Sequence, residues 1–192
     1  MTPQLAINYL WLVWVISWLA AAAWSERTAK RPDFGRELPY RVVTLIGAAM
    51  LFGFVSRSYR SPLGVWSLNA TENWVLFGIC AGGFLFTWWA RLHLGKLWSG
   101  WITRKEGHHI VDTGPYGIVR HPIYTGLIAS AFATALMKGT ILALAGAAIM
   151  TLGFWIKARL EERFLREQLG ADAYDAYRRR VPMLLPFGPK AA

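Results

Sequence analysis

Five stretches of the chain are almost free of charge. Leu5 to Trp24 is a run of 20 uncharged residues, Val42 to Val55 a shorter one of 14, and Asn73 to Ala90 one of 18. Pro122 to Met137 and Gly139 to Ile156 add 16 and 18, divided only by Lys138. A hydrocarbon layer about 30 Å thick takes roughly 20 apolar residues as helix, and fewer where polar or aromatic flanks anchor the ends. The pattern predicts an all-α integral membrane protein with five transmembrane helices, the last two a helical hairpin turning at Lys138–Gly139. The first run ends in the alanines Ala20 to Ala23, like a signal-peptidase site. No Lys or Arg precedes it and the run is too long for a signal peptide, so a retained helix is expected. Beyond the fifth run, Ala158 to Leu169 reads as a cytosolic amphipathic helix closed by Gly170. Residues 1–90 then hold three N-terminal spans. Residues 91–192 hold a core made of a loop (91–121), the hairpin (122–157) and a closing tail (158–192).

The charges sharpen this picture. The chain has 21 Lys and Arg against 11 Asp and Glu, a formal charge of +10. In a soluble protein that excess would point to nucleic acid. Here 55% of the residues are hydrophobic and mean hydropathy is +0.30, so the partner expected is the lipid bilayer and not nucleic acid. With five spans, 18 of the Lys and Arg fall on one side, and only Arg57, Arg60 and Lys138 on the other. By the positive-inside rule the N-terminus lies outside and the C-terminus in the cytoplasm, at the inner membrane in a bacterium. The single cysteine, Cys80, excludes an internal disulfide and a multi-cysteine metal site.

Candidate chemistry collects on the cytoplasmic side. All four histidines, His93, His108, His109 and His121, lie within residues 91–121. Gly114-Pro115 is a turn signal. Pro122 suits the first turn of the fourth helix, where its missing N–H costs nothing. Arg120 and His121 therefore stand at the membrane surface, just before a helix N-terminus whose free N–H groups favour an anion. The plain alternative is that Arg120 snorkels to lipid phosphate and His121 only caps the helix. In the tail, a helical wheel sets Glu161 in the middle of the apolar arc of Leu160, Phe164, Leu165 and Leu169. A carboxylate there requires a cation or an N–H partner. Glu162 falls elsewhere, within reach of Arg166 one turn on, as half of a surface pair. Arg178-Arg179-Arg180 would contact lipid headgroups, or one of them would hold an anionic substrate group. No Gly-x-Gly-x-x-Gly follows a predicted strand, no phosphate-loop motif is present, and the histidines lack metal-ligand spacing, so no metal site is expected.

Several short motifs in order carry a family resemblance. They are Leu94-Gly95 with Trp98-Ser99, Gly114-Pro115-Tyr116, and Arg120-His121-Pro122-x-Tyr124-x-Gly126. They continue with Glu161-Glu162, Gly170, Tyr174, Tyr177, Val181-Pro182 and Pro186. Over residues 91–188 the chain resembles the isoprenylcysteine carboxyl methyltransferases, whose relatives the phospholipid N-methyltransferases share part of the pattern. It departs from the family at Gly117, where a large residue is common.

The resemblance implies a membrane enzyme that uses S-adenosylmethionine without a Rossmann domain and methylates a lipophilic acceptor, most directly an isoprenylcysteine-type carboxylate. It assigns cofactor contacts to His108, Gly114, Tyr116, His121, Pro122, Tyr124 and Glu161 or Glu162. It directs Arg120 and one of Arg178 to Arg180, with Arg180 as the candidate, to a substrate carboxylate. Arg120, His121, Glu161 and Arg180 are thus the expected catalytic groups. A carboxylate is already a nucleophile at neutral pH, whereas an amine or thiol acceptor needs a base, for which His121 and Glu161 are the candidates. Competing classes are a nicotinamide-dependent membrane reductase and a non-catalytic membrane protein on the same scaffold.

Overall fold

A computed structural model describes residues 1–22, 28–30, 34–53, 64–100, 104–105 and 109–190. Helix α1 spans Pro3–Ala22, α2 Phe34–Phe52, α3 Ala70–Leu94, α4 Pro115–Ile118, α5 Pro122–Lys138, α6 Ile141–Leu169 and α7 Ala171–Arg180. The only strands among the described residues are β1 (Thr28–Lys30) and β2 (Arg104–Lys105), a short antiparallel pair. Among the described residues three helical segments are long and apolar enough to cross a membrane: Pro3–Ala22, Ala70–Leu97 and Ile141–Leu169. Their outward faces carry exposed Leu12, Ile16 and Leu19 on α1, Val75, Ile79 and Leu85 on α3, and Leu152 and Trp155 on α6. Apolar surface of that extent suits lipid and not water.

Local signals set the helix ends. Asn69 and Glu72 form a capping box at the start of α3, with Asn69 Oδ1 accepting from the Glu72 N–H at 2.9 Å and Glu72 Oε2 from the Asn69 N–H at 2.8 Å. Gly139, left-handed at φ 65°, ends α5, and Thr140 caps α6 through the Ala143 N–H. The two helices thus turn where the sequence places the hairpin. Two expectations shift. Helix α2 starts at Phe34, well before the apolar run, because Glu37 in its first turn is neutralised locally by Arg41 Nη2 at 2.6 Å and by the Tyr40 hydroxyl. Residues 158–169 are not a separate amphipathic helix but the last turns of α6. No glycine or proline lies between Phe154 and Leu169 to break it.

Helix α2 packs along α6 and α3 along α5. Small residues allow it. A Cβ on Gly47 would lie 2.5 Å from the Met150 nitrogen and 2.7 Å from the Gly146 carbonyl oxygen, so the α2 and α6 backbones touch. Gly83 of α3 likewise lies against the Gly126 carbonyl and Ser130 of α5. In lipid, where burying apolar area drives little association, such close approach and interhelical hydrogen bonds supply the adhesion. Trp11 Nε1 donates to Thr134 Oγ1 and Trp14 Nε1 to Thr87 Oγ1, each at 2.9 Å, tying α1 to α5 and α3. Arg91, fully buried, donates to the Ala21 carbonyl at 2.8 Å and the Gly95 carbonyl at 2.7 Å. It fastens the C-terminal ends of α1 and α3 together, at the end of the bundle where α5 begins.

Candidate functional site

At that end lies a cavity of about 310 Å³. One wall is apolar, built from Trp18, Leu97, Leu127 and Phe154. The other carries Tyr116, Arg120, His121, Lys157, Glu161 and Tyr174. Stacked rings join the two: His121 lies against Tyr124, and Tyr124 against Phe154, each pair 5.4 Å apart.

Docking of the tail sets the polar wall. The backbone after α7 runs across the start of α5. The Arg120 N–H donates to the Pro182 carbonyl at 2.9 Å, and the His121 N–H to the Met183 carbonyl at 3.1 Å. Thr125 Oγ1 donates to the Leu184 carbonyl at 2.6 Å. The hydroxyl of Tyr177 on α7 donates to the Tyr116 carbonyl at 2.8 Å. The carbonyls of the tail thus take up the N–H groups of Arg120 and His121, donors that the sequence leaves open to an anion.

Glu161 and Glu162 are adjacent but differently placed. Glu162 is 4% exposed and lies behind the cavity. It accepts from Arg120 Nε at 2.7 Å and lies 3.2 Å from His121 Nε2 and 3.4 Å from Arg178 Nε. This overturns the expected surface pair with Arg166, which instead binds Asp175 at 2.8 Å. The wheel cannot anticipate that α5 and α7 close over that side of α6, so the face it leaves to solvent is buried by tertiary contact. Glu161 lines the cavity, accepts from the Tyr124 hydroxyl at 2.7 and 2.8 Å, and has Lys157 Nζ at 3.8 Å.

Arg120 is 6% exposed. Its Nε is held by Glu162, and its Nη1 donates to the Arg178 carbonyl at 3.1 Å and to the Val181 carbonyl. Among the described residues Nη2 has no protein partner, and the side chain lines the cavity. This geometry disfavours the snorkelling alternative, because the guanidinium points into protein. Burial pulls the His121 imidazole down, but hydrogen bonds from the ring to the Glu161 and Glu162 carboxylates outweigh it and hold the ring above the ordinary histidine value of 6.5. Burial also pushes the Tyr116 and Tyr174 phenols well up, keeping both neutral.

The remaining expected residues divide. Tyr116, Pro122 and Tyr124 line the cavity. Gly114 does not: it turns the chain at φ 55°, and a Cβ there would sit 2.7 Å from the His93 ring. Arg180 lies on the surface, its side chain 65% exposed and paired with Asp112 Oδ2 at 2.7 Å, so Arg178 is the arginine of the three that reaches the site. The last turn of α7 aims successive arginines in different directions, which a run of identical residues cannot reveal. His108 lies outside the described residues. The sequence reading passed over Lys157, counted only as a loop charge, although it lies one turn before Glu161 on the same helix face. It also passed over Trp18 of α1 and His109, both in the cavity wall.

Fold and site together define a helical integral membrane protein with a half-polar, half-apolar cavity at one end of its bundle. Residues 74–167 match the model of the isoprenylcysteine carboxyl methyltransferase (ICMT) family. A Protein-S-isoprenylcysteine O-methyltransferase B of Arabidopsis thaliana is 36% identical over 87 residues, 45% of this chain and 44% of that protein. A Methanethiol S-methyltransferase 2 of Bradyrhizobium diazoefficiens is 34% identical over 137 residues, 65% of this chain and 51% of that protein. A Protein-S-isoprenylcysteine O-methyltransferase of Schizosaccharomyces pombe is 30% identical over 114 residues, 58% and 48% respectively. The chain spans about half the length of these relatives.

Proposed function

We propose that the protein is an S-adenosylmethionine-dependent membrane methyltransferase acting on a lipophilic acceptor. The observation that carries this reading is the cavity itself. It brings a carboxylate (Glu161) and a free guanidinium edge (Arg120 Nη2) together with an apolar wall, in a chain whose residues 74–167 match a methyltransferase family. We further read α2 and α5 as crossing the membrane beside the three longer helices. That gives five spans, the N-terminus outside and the cavity at the cytoplasmic face, in keeping with the 18-to-3 charge asymmetry.

The residues fit the cofactor. A volume of about 310 Å³ is at the lower end of the usual range for small-molecule sites. Glu161 would face the cationic part of the cofactor, which leaves Arg120 Nη2 for the acceptor. Tyr116 and the other aromatic residues supply flat faces, with Pro122 and Tyr124 beside them, and Glu162 acts from behind by fixing Arg120 and His121. When bound, S-adenosylmethionine supplies a methyl group already attached to a good leaving group.

Methyl transfer of this kind gains from alignment and from a dry site. The stack of His121, Tyr124 and Phe154 walls part of the cavity, and the docked tail fixes Arg120. Because its two carboxylate neighbours favour the charged form of His121, the ring is less suited to act as a general base. The site therefore favours an acceptor that arrives ionised, such as an isoprenylcysteine-type carboxylate, with Arg120 Nη2 to hold it. A thiol acceptor is the second reading. It is favoured by the match to a methanethiol S-methyltransferase over 65% of this chain, and Glu161 is the group placed to take the proton.

The test uses purified protein in detergent. S-adenosylhomocysteine should bind and NADPH should not. Membranes incubated with labelled S-adenosylmethionine should then yield a labelled lipophilic ester, or a thioether under the second reading. Binding of NADPH alone would establish a reductase instead, and binding of neither would leave a non-catalytic protein.

A further inference from the structure

The two neighbouring acids are neutralised in different ways. Glu162 meets a guanidinium at 2.7 Å. For Glu161 the cationic nitrogens stand further off, His121 Nδ1 at 3.6 Å and Lys157 Nζ at 3.8 Å, and its short contacts come from the neutral Tyr124 hydroxyl. Lys157 is held mainly by other groups. It donates to the Gly100 carbonyl at 3.1 Å, and its ammonium lies over the Tyr40 ring at 5.5 Å and the Tyr124 ring at 5.4 Å. Both Lys157 and Glu161 line the cavity. Lys157 is thus a cation fixed beside an acid that still has room for a closer one.

We propose that Lys157 determines the charge selectivity of the site: it is a resident counter-cation that offsets Glu161 and so limits how strongly the cavity favours a positively charged methyl donor over the demethylated product. This rests on the methyltransferase reading above. Donor and product differ by one methyl group and by one positive charge at sulfur. In a dry cavity an isolated carboxylate would discriminate steeply between them, because charge interactions grow as the local dielectric falls. An ammonium fixed 3.8 Å from that carboxylate subtracts from its field at the ligand. It cannot be displaced into solvent, because it is carried on α6 and tied to the Gly100 carbonyl. The arrangement keeps donor binding selective while letting the product leave.

The experiment measures equilibrium binding of S-adenosylmethionine and S-adenosylhomocysteine to the wild-type protein and to Lys157→Gln and Lys157→Arg, in detergent at fixed salt. Glutamine keeps a donor for the Gly100 carbonyl while removing the charge. The ratio of donor to product affinity is expected to rise by about tenfold or more in Lys157→Gln, and to stay at the wild-type value in Lys157→Arg. In Glu161→Gln the ratio should fall, and adding Lys157→Gln to it should raise it again, because the ammonium repels a sulfonium whether or not the carboxylate is charged. An unchanged ratio in Lys157→Gln, or parallel loss of both affinities, makes Lys157 a structural strut and overturns the proposal. Should Lys157→Gln fail to fold, an unchanged ratio in Glu161→Gln overturns it equally. A wild-type protein that binds neither ligand refutes the methyltransferase reading itself. That is distinct from a wild type that binds both with a ratio indifferent to Lys157.

Discussion

Replacing Glu162 by alanine should cost more stability than replacing Glu161, although Glu161 is the residue that lines the cavity. Glu162 is the shared anion of three cationic side chains, with Arg120 at 2.7 Å, His121 at 3.2 Å and Arg178 at 3.4 Å. Arg120 and His121 are almost wholly buried, so Glu162→Ala strands charge where water cannot reach it. Breaking a buried pair from one side costs about 3–5 kcal/mol. That is a large share of the roughly 5–15 kcal/mol that holds a folded protein together. Glu161→Ala loses the Tyr124 hydroxyl bonds and a looser contact with Lys157, about 1–3 kcal/mol for one buried polar group left unpaired. Ligand binding should show the opposite order, with Glu161→Ala abolishing S-adenosylmethionine binding and folded Glu162→Ala retaining part of it. Unfolding free energy in mixed micelles, with calorimetric binding on the same preparations, reads both quantities. Equal losses of stability, or a Glu162→Ala protein as stable as wild type, would refute the division into a binding acid and a supporting acid.

Three further outcomes follow from the same geometry. Arg120→Ala should lower methyl transfer in membranes far more than it lowers protein level, because Glu162 keeps His121 and Arg178 as partners, whereas Arg180→Ala should leave both near wild type, since its exposed pair with Asp112 is worth at most about 1 kcal/mol. His121 has a folded-state pKa above its unfolded value, so the folded state binds more protons. Its contribution to stability is complete below about pH 6.5 and is lost as pH rises through the folded value. Unfolding free energy measured upward from pH 6 should fall in the wild type and stay flatter in His121→Asn; a wild-type rise over that window would contradict the pairing with Glu161 and Glu162. Gly47→Val should destabilise the α2–α6 contact by at least about 1–3 kcal/mol, because the new Cβ meets backbone that cannot turn aside. A melting temperature within a degree of wild type would show the two helices are not in contact there.

Sequence alone determined the long-range plan of this protein, because membrane residence is a property of runs. The uncharged runs within α1, α3 and α6, the hairpin turn at Lys138–Gly139 and the proline opening α5 are all local in the chain, and helices form there as the pattern placed them. The helical wheel also set Glu161 and Glu162 on different faces of one helix, since periodicity is enough to separate adjacent side chains. Only the tertiary structure decided what those faces meet. Glu162 is buried because α5 and the tail close over it, Arg178 and not Arg180 reaches the site because of where α7 ends, and Lys157 enters the cavity because the Gly100 carbonyl and the Tyr40 ring meet it there. These are contacts between segments tens of residues apart. Periodicity records the direction in which a side chain leaves its own helix, and carries no information about the neighbour that will be packed in its way.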